Sequence, residues 1–361
     1  MNKYIVFLLS FLSLALSSCL KDAPENVEAD VLNFSFEEMP EMNFIPEKGN
    51  NKITFEIKDD KINTGQLTPI IKISEGATIS PQSGVPQDFR DTVTYIVTSE
   101  NKRWKNEYKV LIKAIKPLIF TFDDWETAGT GAIRYPTPSD YSWENANYGI
   151  GIAKLGNVEN YPTRPTSDSW RGDNAVLLET QRGGTYFGVL VPVFSASVFR
   201  GKFGPINMGN FARSIRFGQP HDRKQGRPVL FSGYFKYKSG STFYDEHDNV
   251  VSGRVDEGSI YSVLFRTEKG VAGTDRDEFL DGTNILTSDK IVAVAQMEHC
   301  RNTPEYTRFE IPFLYRDVID YDRFDYKLTA VFSSSRDGDF YRGADGSTLI
   351  VDEVEIVCED F

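Results

Sequence analysis

From about residue 28 to 115, apolar and polar positions alternate in short runs. In "KITFEIK" Ile53, Phe55 and Ile57 share one parity; Val93, Tyr95 and Val97 do so in "VTYIV", and Tyr108, Val110 and Ile112 in "YKVLIK". A period of two with one apolar face is the pattern of a half-buried strand. The intervening "EKGNN", "SPQSG" and "SENK" have the composition of turns. Residues 28–116 are therefore expected to form a small β-sandwich. Pro117 marks a boundary, and a second series of strands runs to the C-terminus: "PLIFTFDDW", "NAVLLET", "VLFSGYFKYK", "SIYSVLFRTE", "KIVAVAQME", "RFEIPFLY", "KLTAVFSSS" and "STLIVDEVEIV". Long Gly- and Asp-rich connections separate them, which predicts a jelly-roll sandwich with elaborate loops over residues 117–361. The longest connection is Trp125 to Asn174.

One residue breaks the pattern. In "STLIVDEVEIV" the period of two places Ile350, Val354 and Ile356 on one face with Asp352 among them. A charge there is costly unless paired. In the first strand of this domain Leu118, Phe120 and Phe122 share their parity with Asp124. First and last strands of a jelly roll commonly lie side by side, so Asp124 and Asp352 are expected near each other. Two readings stand: a structural calcium held by both carboxylates, or hydrogen bonds from backbone N–H and basic side chains. No other cofactor is required. The loop "RDGDFYRGADGS" offers Asp337, Asp339 and Asp345, but Tyr341 stands where an EF-hand needs Asp or Asn. Its glycines suit a turn, leaving Phe340 and Tyr341 as rim contacts.

The first residues change the picture of location. "MNKYIVFLLSFLSLALSSC" has Lys3 and then an apolar run too short for a membrane span, the pattern of a signal peptide over residues 1–18. Leu16-Ser17-Ser18-Cys19 resembles a bacterial lipobox, which implies a lipidated Cys19, a polar linker over residues 19–27 and membrane attachment through the anchor only. The acidic stretch after Cys19 resembles the surface-export signal of Bacteroidetes lipoproteins, implying an outer-membrane lipoprotein exposed at the cell surface. The formal net charge of −12 argues against nucleic acid or an anionic lipid surface as partner. Cys300 and Cys358 remain in a compartment where a disulfide can form.

Two resemblances follow. "GATISPQSGVPQDFRDTVTYIVTSENKRWKNEYKVLI" is similar to the immunoglobulin-like modules of exported Bacteroidetes proteins. "FTFDDW", "NAVLLET", "SGYFKYKSG", "FEIPFLYRD" and above all "FSSSRDGDFYRGADGSTLIVDEVEI" resemble the Bacteroidetes family called the putative carbohydrate metabolism domain. The second resemblance spans roughly residues 118 to 357. It implies a jelly roll similar to carbohydrate-binding modules, following an immunoglobulin-like domain on a lipoprotein.

Sugar recognition needs flat aromatic faces and planar polar groups. The long connection supplies Trp125, Tyr135, Trp143, Tyr148 and Trp170, with Arg134, Glu144, Asn147 and Arg171 near them in sequence. Aromatics also anchor loops onto sandwiches, so each residue has a packing role as its alternative. The expected partner is a polysaccharide or oligosaccharide, bound without cleavage, with a glycan-uptake complex as wider context. The alternatives are a glycoside hydrolase, for which Asp123, Glu144 and Asp173 are available, and a structural or adhesin-type envelope subunit. No G-x-S-x-G or Walker loop occurs, "GTGAIR" lacks the third glycine of a dinucleotide fingerprint, and His221, His247 and His299 lack metal-ligand spacing.

Overall fold

The computed structural model describes residues 25–360 apart from residue 48 and residues 58–61; residues 1–18, read as a signal peptide, and Cys19, read as lipidated, lie outside the described residues. The chain is all-β and divides into two units between Ala114 and Ile115.

The first unit is a sandwich. One sheet is antiparallel in the order Met39–Phe44, Val31–Phe36, Pro69–Ile73. In the other, Lys52–Ile57 runs parallel to residues 109–114 of the strand Lys105–Phe120, whose residues 105–110 pair antiparallel with Val93–Thr98, and Thr78–Ser80 follows. The alternating positions read from the sequence point inward: Ile53, Phe55, Tyr95, Val97, Tyr108 and Val110 are all buried. Phe36 meets Phe55 edge-on at 5.0 Å and Phe34 meets Tyr95 at 5.4 Å.

The second unit is the larger, jelly-roll sandwich. Its first sheet contains Thr163–Thr166, Ala175–Glu179, Thr348–Glu359, Arg227–Lys238 and Thr303–Pro312. Residues 115–120 run antiparallel to the end of Thr348–Glu359, with Leu118 opposite Ile356, so first and last strands are neighbours. The second sheet has the order Trp143–Asn145, Ser197–Phe203, Phe324–Ser333, Ser259–Glu268, Ile291–Gln296, Leu314–Tyr315. Phe231, Phe235, Phe309, Val351, Val354 and Ile356 from one sheet pack on Ile260, Leu264, Ala293, Leu328, Ala330 and Phe332 from the other. The second sheet is covered on its far face too, where Tyr261, Val263, Phe265 and Val294 meet Phe217, Leu280 and Ile285. That explains why "SIYSVLF" and "IVAVA" are apolar at both parities.

Two sequence expectations change, and one open question is answered. The connection from Trp125 to Asn174 is not one loop: it contains the hairpin Trp125–Thr130/Ile133–Pro138, a short helix Asn147–Ala153 and the strand Thr163–Thr166. Cys300 and Cys358 are both buried, with no disulfide between them. The parity of the last strand is also interrupted. Ser232 faces Glu355 but Tyr234 faces Asp352, so Gly233 stands opposite two residues and the strand bulges, with Glu353 at φ +48°. A Cβ at Gly233 would lie 2.9 Å from the Phe309 ring. Leu349 and Val351 point into the core before the bulge, and Val354, Ile356 and Cys358 after it. Asp352 therefore points out of the sandwich, on the face of Tyr234, and not among Val354 and Ile356.

His221 is a buried ring whose Nε2 lies 2.8 Å from the Gly226 carbonyl. Burial pushes its pKa down to about 4, with the Arg200 charge adding to the effect. An unfolded chain takes up this proton near pH 6.5, so the contribution to stability is present above that pH and is lost as pH falls toward 4. The shift corresponds to roughly 3 kcal/mol. Thermal unfolding followed between pH 7 and pH 4 is expected to show this loss, and His221→Gln to flatten it.

Candidate functional site

The site grows from the bulge. Turned outward, the Asp352 carboxylate would be exposed, yet its solvent exposure is 0 %. The segment 167–174 crosses over it. Asp352 Oδ2 accepts the backbone N–H of Trp170 at 2.7 Å and of Arg171 at 3.0 Å, while Oδ1 accepts the N–H of Glu353 at 2.8 Å. Burial holds its pKa above the usual carboxylate range, opposed by these N–H groups, and the Asp123 charge raises it further. Asp123 performs the same task next door: its Oδ1 accepts the N–H of Asp173 at 2.8 Å and of Asn174 at 3.2 Å, which lower its pKa.

The positive φ of Phe122, +57°, rotates the chain so that Asp123 reaches the segment. Asp124, expected as the partner of Asp352, is instead exposed. Among the described residues no group of three or more His, Cys, Asp or Glu side chains is arranged to hold a metal. A cradle of N–H dipoles presents its positive ends to the Asp352 oxygens, where a cation would have to approach. The arrangement is that of an anion satisfied by backbone donors.

The clamp presents Trp170. Its indole stacks on Tyr234 at 4.4 Å and 15°, with Tyr306 tilted beside it at 6.0 Å. With one face on Tyr234, the indole is still 46 % exposed. Lys236 Nζ lies 4.4 Å from the Tyr306 ring centre and 2.7 Å from Asp168 Oδ1, and the Tyr306 hydroxyl donates to the Asp168 carbonyl at 2.6 Å. Arg171 pairs with Glu353 at 3.6 Å. The result is an aromatic platform on the outer face of the first sheet, edged by Lys236, Arg171, Asp168 and Glu353.

The remaining aromatics divide. Trp143 is core, between Phe120, Phe122 and Phe332. Trp125 is half-buried and donates its Nε1–H to the Phe122 carbonyl at 2.8 Å. Tyr135 is buried beside Tyr148 and Tyr161. Tyr148 is 37 % exposed but rests edge-on against Phe203, Phe340 is exposed at the loop tip, and Tyr341 lines a separate apolar cleft. Of the seven aromatics expected at a glycan site, the platform contains Trp170. Sequence reading missed Tyr234, Lys236 and Tyr306. A signal existed: Tyr234 and Lys236 occupy the parity opposite to Phe231, Phe235 and Tyr237 in "FSGYFKYK".

The loop before the last strand is secured independently. Asp256 Oδ2 accepts Ser335 Oγ at 2.6 Å and Ser347 Oγ and Ala344 N at 2.8 Å. Asp337 pairs with Arg254, and Asp345 Oδ1 accepts the N–H of Arg182 at 3.0 Å.

Residues 121–357 match the family model described as the putative carbohydrate metabolism domain, and the chain belongs to that family. Residues 31–112 match the model described as the N-terminal domain of SGBP, the surface glycan-binding proteins of Bacteroidetes. Among solved structures, the chain is similar to one described as a putative glycoside hydrolase from Bacteroides thetaiotaomicron, at 29 % identity and a TM-score of 0.55, covering 93 % of this chain and 98 % of that one. A second, from Bacteroides vulgatus with the same description, has 28 % identity and a TM-score of 0.55, covering 67 % of this chain and 98 % of its own. No curated protein matches the chain.

The clamp makes two expectations. Asp352→Ala strands three N–H groups and is expected to cost about 2–4 kcal/mol in urea unfolding, with Asp352→Asn costing less because it keeps one acceptor oxygen. Gly172 has φ +72°, and a Cβ there would lie 2.1 Å from Asp123 Oδ1. Gly172→Ala is therefore expected to speed amide hydrogen exchange at Trp170, Arg171 and Asp173 while the first unit keeps its protection.

Proposed function

We propose that this member of the putative carbohydrate metabolism domain family is a surface glycan-binding protein that holds a saccharide on the Trp170 platform and releases it unchanged. The observation that supports this reading is the stacked, half-exposed indole of Trp170, fixed through its own backbone by Asp352. A pyranose presents C–H bonds on one face and hydroxyls at its edge. An open aromatic face edged by Lys236, Arg171, Asp168 and Glu353 offers apolar area and hydrogen-bonding groups in that arrangement. The match of the first unit to surface glycan-binding proteins supports the same ligand class. Anchoring through Cys19 at the outer membrane, and work beside a glycan-uptake complex, complete the proposal.

The non-catalytic part rests on the carboxylates. A glycosidase needs one acid free to give a proton and a second free to attack or to activate water. Asp123 and Asp352 engage their oxygens with backbone N–H groups, and Asp168 is paired with Lys236. Glu144 is largely enclosed and its Oε1 accepts the N–H of Asn145.

Affinity electrophoresis through polysaccharide gels, followed by assay for new reducing ends, tests the proposal. Wild-type protein is expected to be retarded by at least one polysaccharide without product. Trp170→Ala should weaken that retention about tenfold or more, ~1.4 kcal/mol, with an unchanged melting temperature. Reducing ends released by the purified protein would put hydrolysis in its place.

A further inference from the structure

A second cavity lies away from the platform. The helix Asn147–Ala153, the hairpin Gln181–Tyr186/Val189–Phe194, the segment 203–215 and the loop 338–341 enclose a cleft of about 110 Å³. Its walls are apolar, with Ile150, Val191, Val193, Phe203, Phe211 and Tyr341 among them. At its edge, Phe187 and Met208 are 56 % and 45 % exposed, an apolar surface that water covers at a cost.

One charged group breaks this lining. Asp339 faces the cleft, and its carboxylate has no hydrogen-bond or ion-pair partner among the described residues. Crowding by apolar atoms, with the Asp281 charge second, pushes its pKa up to about 6. The residue is nonetheless solvent-exposed on its outer side, at the mouth of the cleft. Its neighbours on the other walls are already engaged: Ser195 Oγ lies 2.9 Å from Ser333 Oγ, and the Tyr341 hydroxyl accepts the N–H of Phe211 at 3.4 Å. Two lining residues that are not glycine have left-handed backbone, Phe187 at φ +53° and Tyr341 at φ +60°. The first forms the hairpin turn with Gly188, and the second closes the turn Gly338–Phe340.

We propose that this cleft is a second ligand site, independent of the platform, for a single apolar ring carrying a hydrogen-bond donor that reaches the Asp339 carboxylate. The size fits one ring: a closed apolar cavity of about 150 Å³ accepts benzene, and this smaller cleft is open at its mouth, so the donor-bearing edge need not be enclosed. The unpaired acceptor decides the chemistry. A ring without a donor leaves the carboxylate desolvated and unpaired, whereas a phenolic hydroxyl gives it a charge-assisted hydrogen bond.

Titration of the purified, methyl-labelled protein with 4-methylphenol, followed by carbon–proton methyl spectra, tests the assignment, with toluene as the ring lacking a donor. The methyl signals of Ile150, Val191, Val193 and Met208 are expected to shift together and saturate in the millimolar range or below. Toluene should bind at least tenfold more weakly. Asp339→Leu, a change at a solvent-accessible position, should abolish that difference without moving the melting temperature. Methyl signals that stay still at saturating 4-methylphenol, equal affinity for the two rings, or an undiminished preference in Asp339→Leu would each overturn the proposal. Binding of 4-methylphenol that survives Trp170→Ala separates this site from the platform.

Discussion

A buried carboxylate with three backbone N–H donors governs the arrangement of this site. Asp352 is turned out of the core by a bulge and would face water if the segment 167–174 did not lie over it. Covering it is tolerable only because the segment brings its own donors, the N–H groups of Trp170 and Arg171. The dependence runs both ways. Without the carboxylate those N–H groups have no acceptor, and without the segment the carboxylate is a surface group. Asp123 repeats the contract two residues further along the same segment, at Asp173 and Asn174. Two anions side by side repel, and the Asp123 charge adds to burial, the larger cause, in raising the pKa of Asp352. Five backbone donors, three on Asp352 and two on Asp123, offset it.

This constraint also explains what the sequence did and did not disclose. The core alternation of the first unit was legible because nothing interrupts it: Ile53, Phe55, Tyr95, Val97, Tyr108 and Val110 keep their parity from strand to sheet. The same reasoning identified Asp352 as anomalous and then put it on the wrong face. A period of two holds only while the ladder is regular, and one extra residue shifts every later side chain to the other side. Gly233, the residue that makes room for the bulge, lies in a different strand more than a hundred positions earlier, so no local pattern announces it. The choice of Asp124 over Asp123 failed for the same reason, a single positive φ at Phe122. Parity counting is a statement about geometry and inherits each irregularity of the chain.

The aromatics were harder still, because burial is a property of pairs. Trp143 and Trp170 sit 27 positions apart with similar local composition, yet one lies among Phe120, Phe122 and Phe332 and the other on the outer face with Tyr234. What separates them is which strand each segment lands upon. Tyr234, Lys236 and Tyr306 belong to strands that read as ordinary, and they become a platform only when the segment 167–174 is laid across them by the two carboxylates.

That order of construction bears on chemistry. A residue that serves as a fixed acceptor for backbone donors is poorly placed to exchange protons, because protonation would set an O–H against N–H groups that already point at it. Asp123 and Asp352 are both committed to holding the segment that carries the exposed indole. The rigidity they confer has value for recognition, since a stacking surface fixed before the ligand arrives loses little side-chain entropy on binding. Asp339, whose carboxylate has no hydrogen-bond or ion-pair partner among the described residues, faces a different cavity lined by apolar side chains. The two carboxylates that accept the segment's N–H groups thus serve to shape the platform.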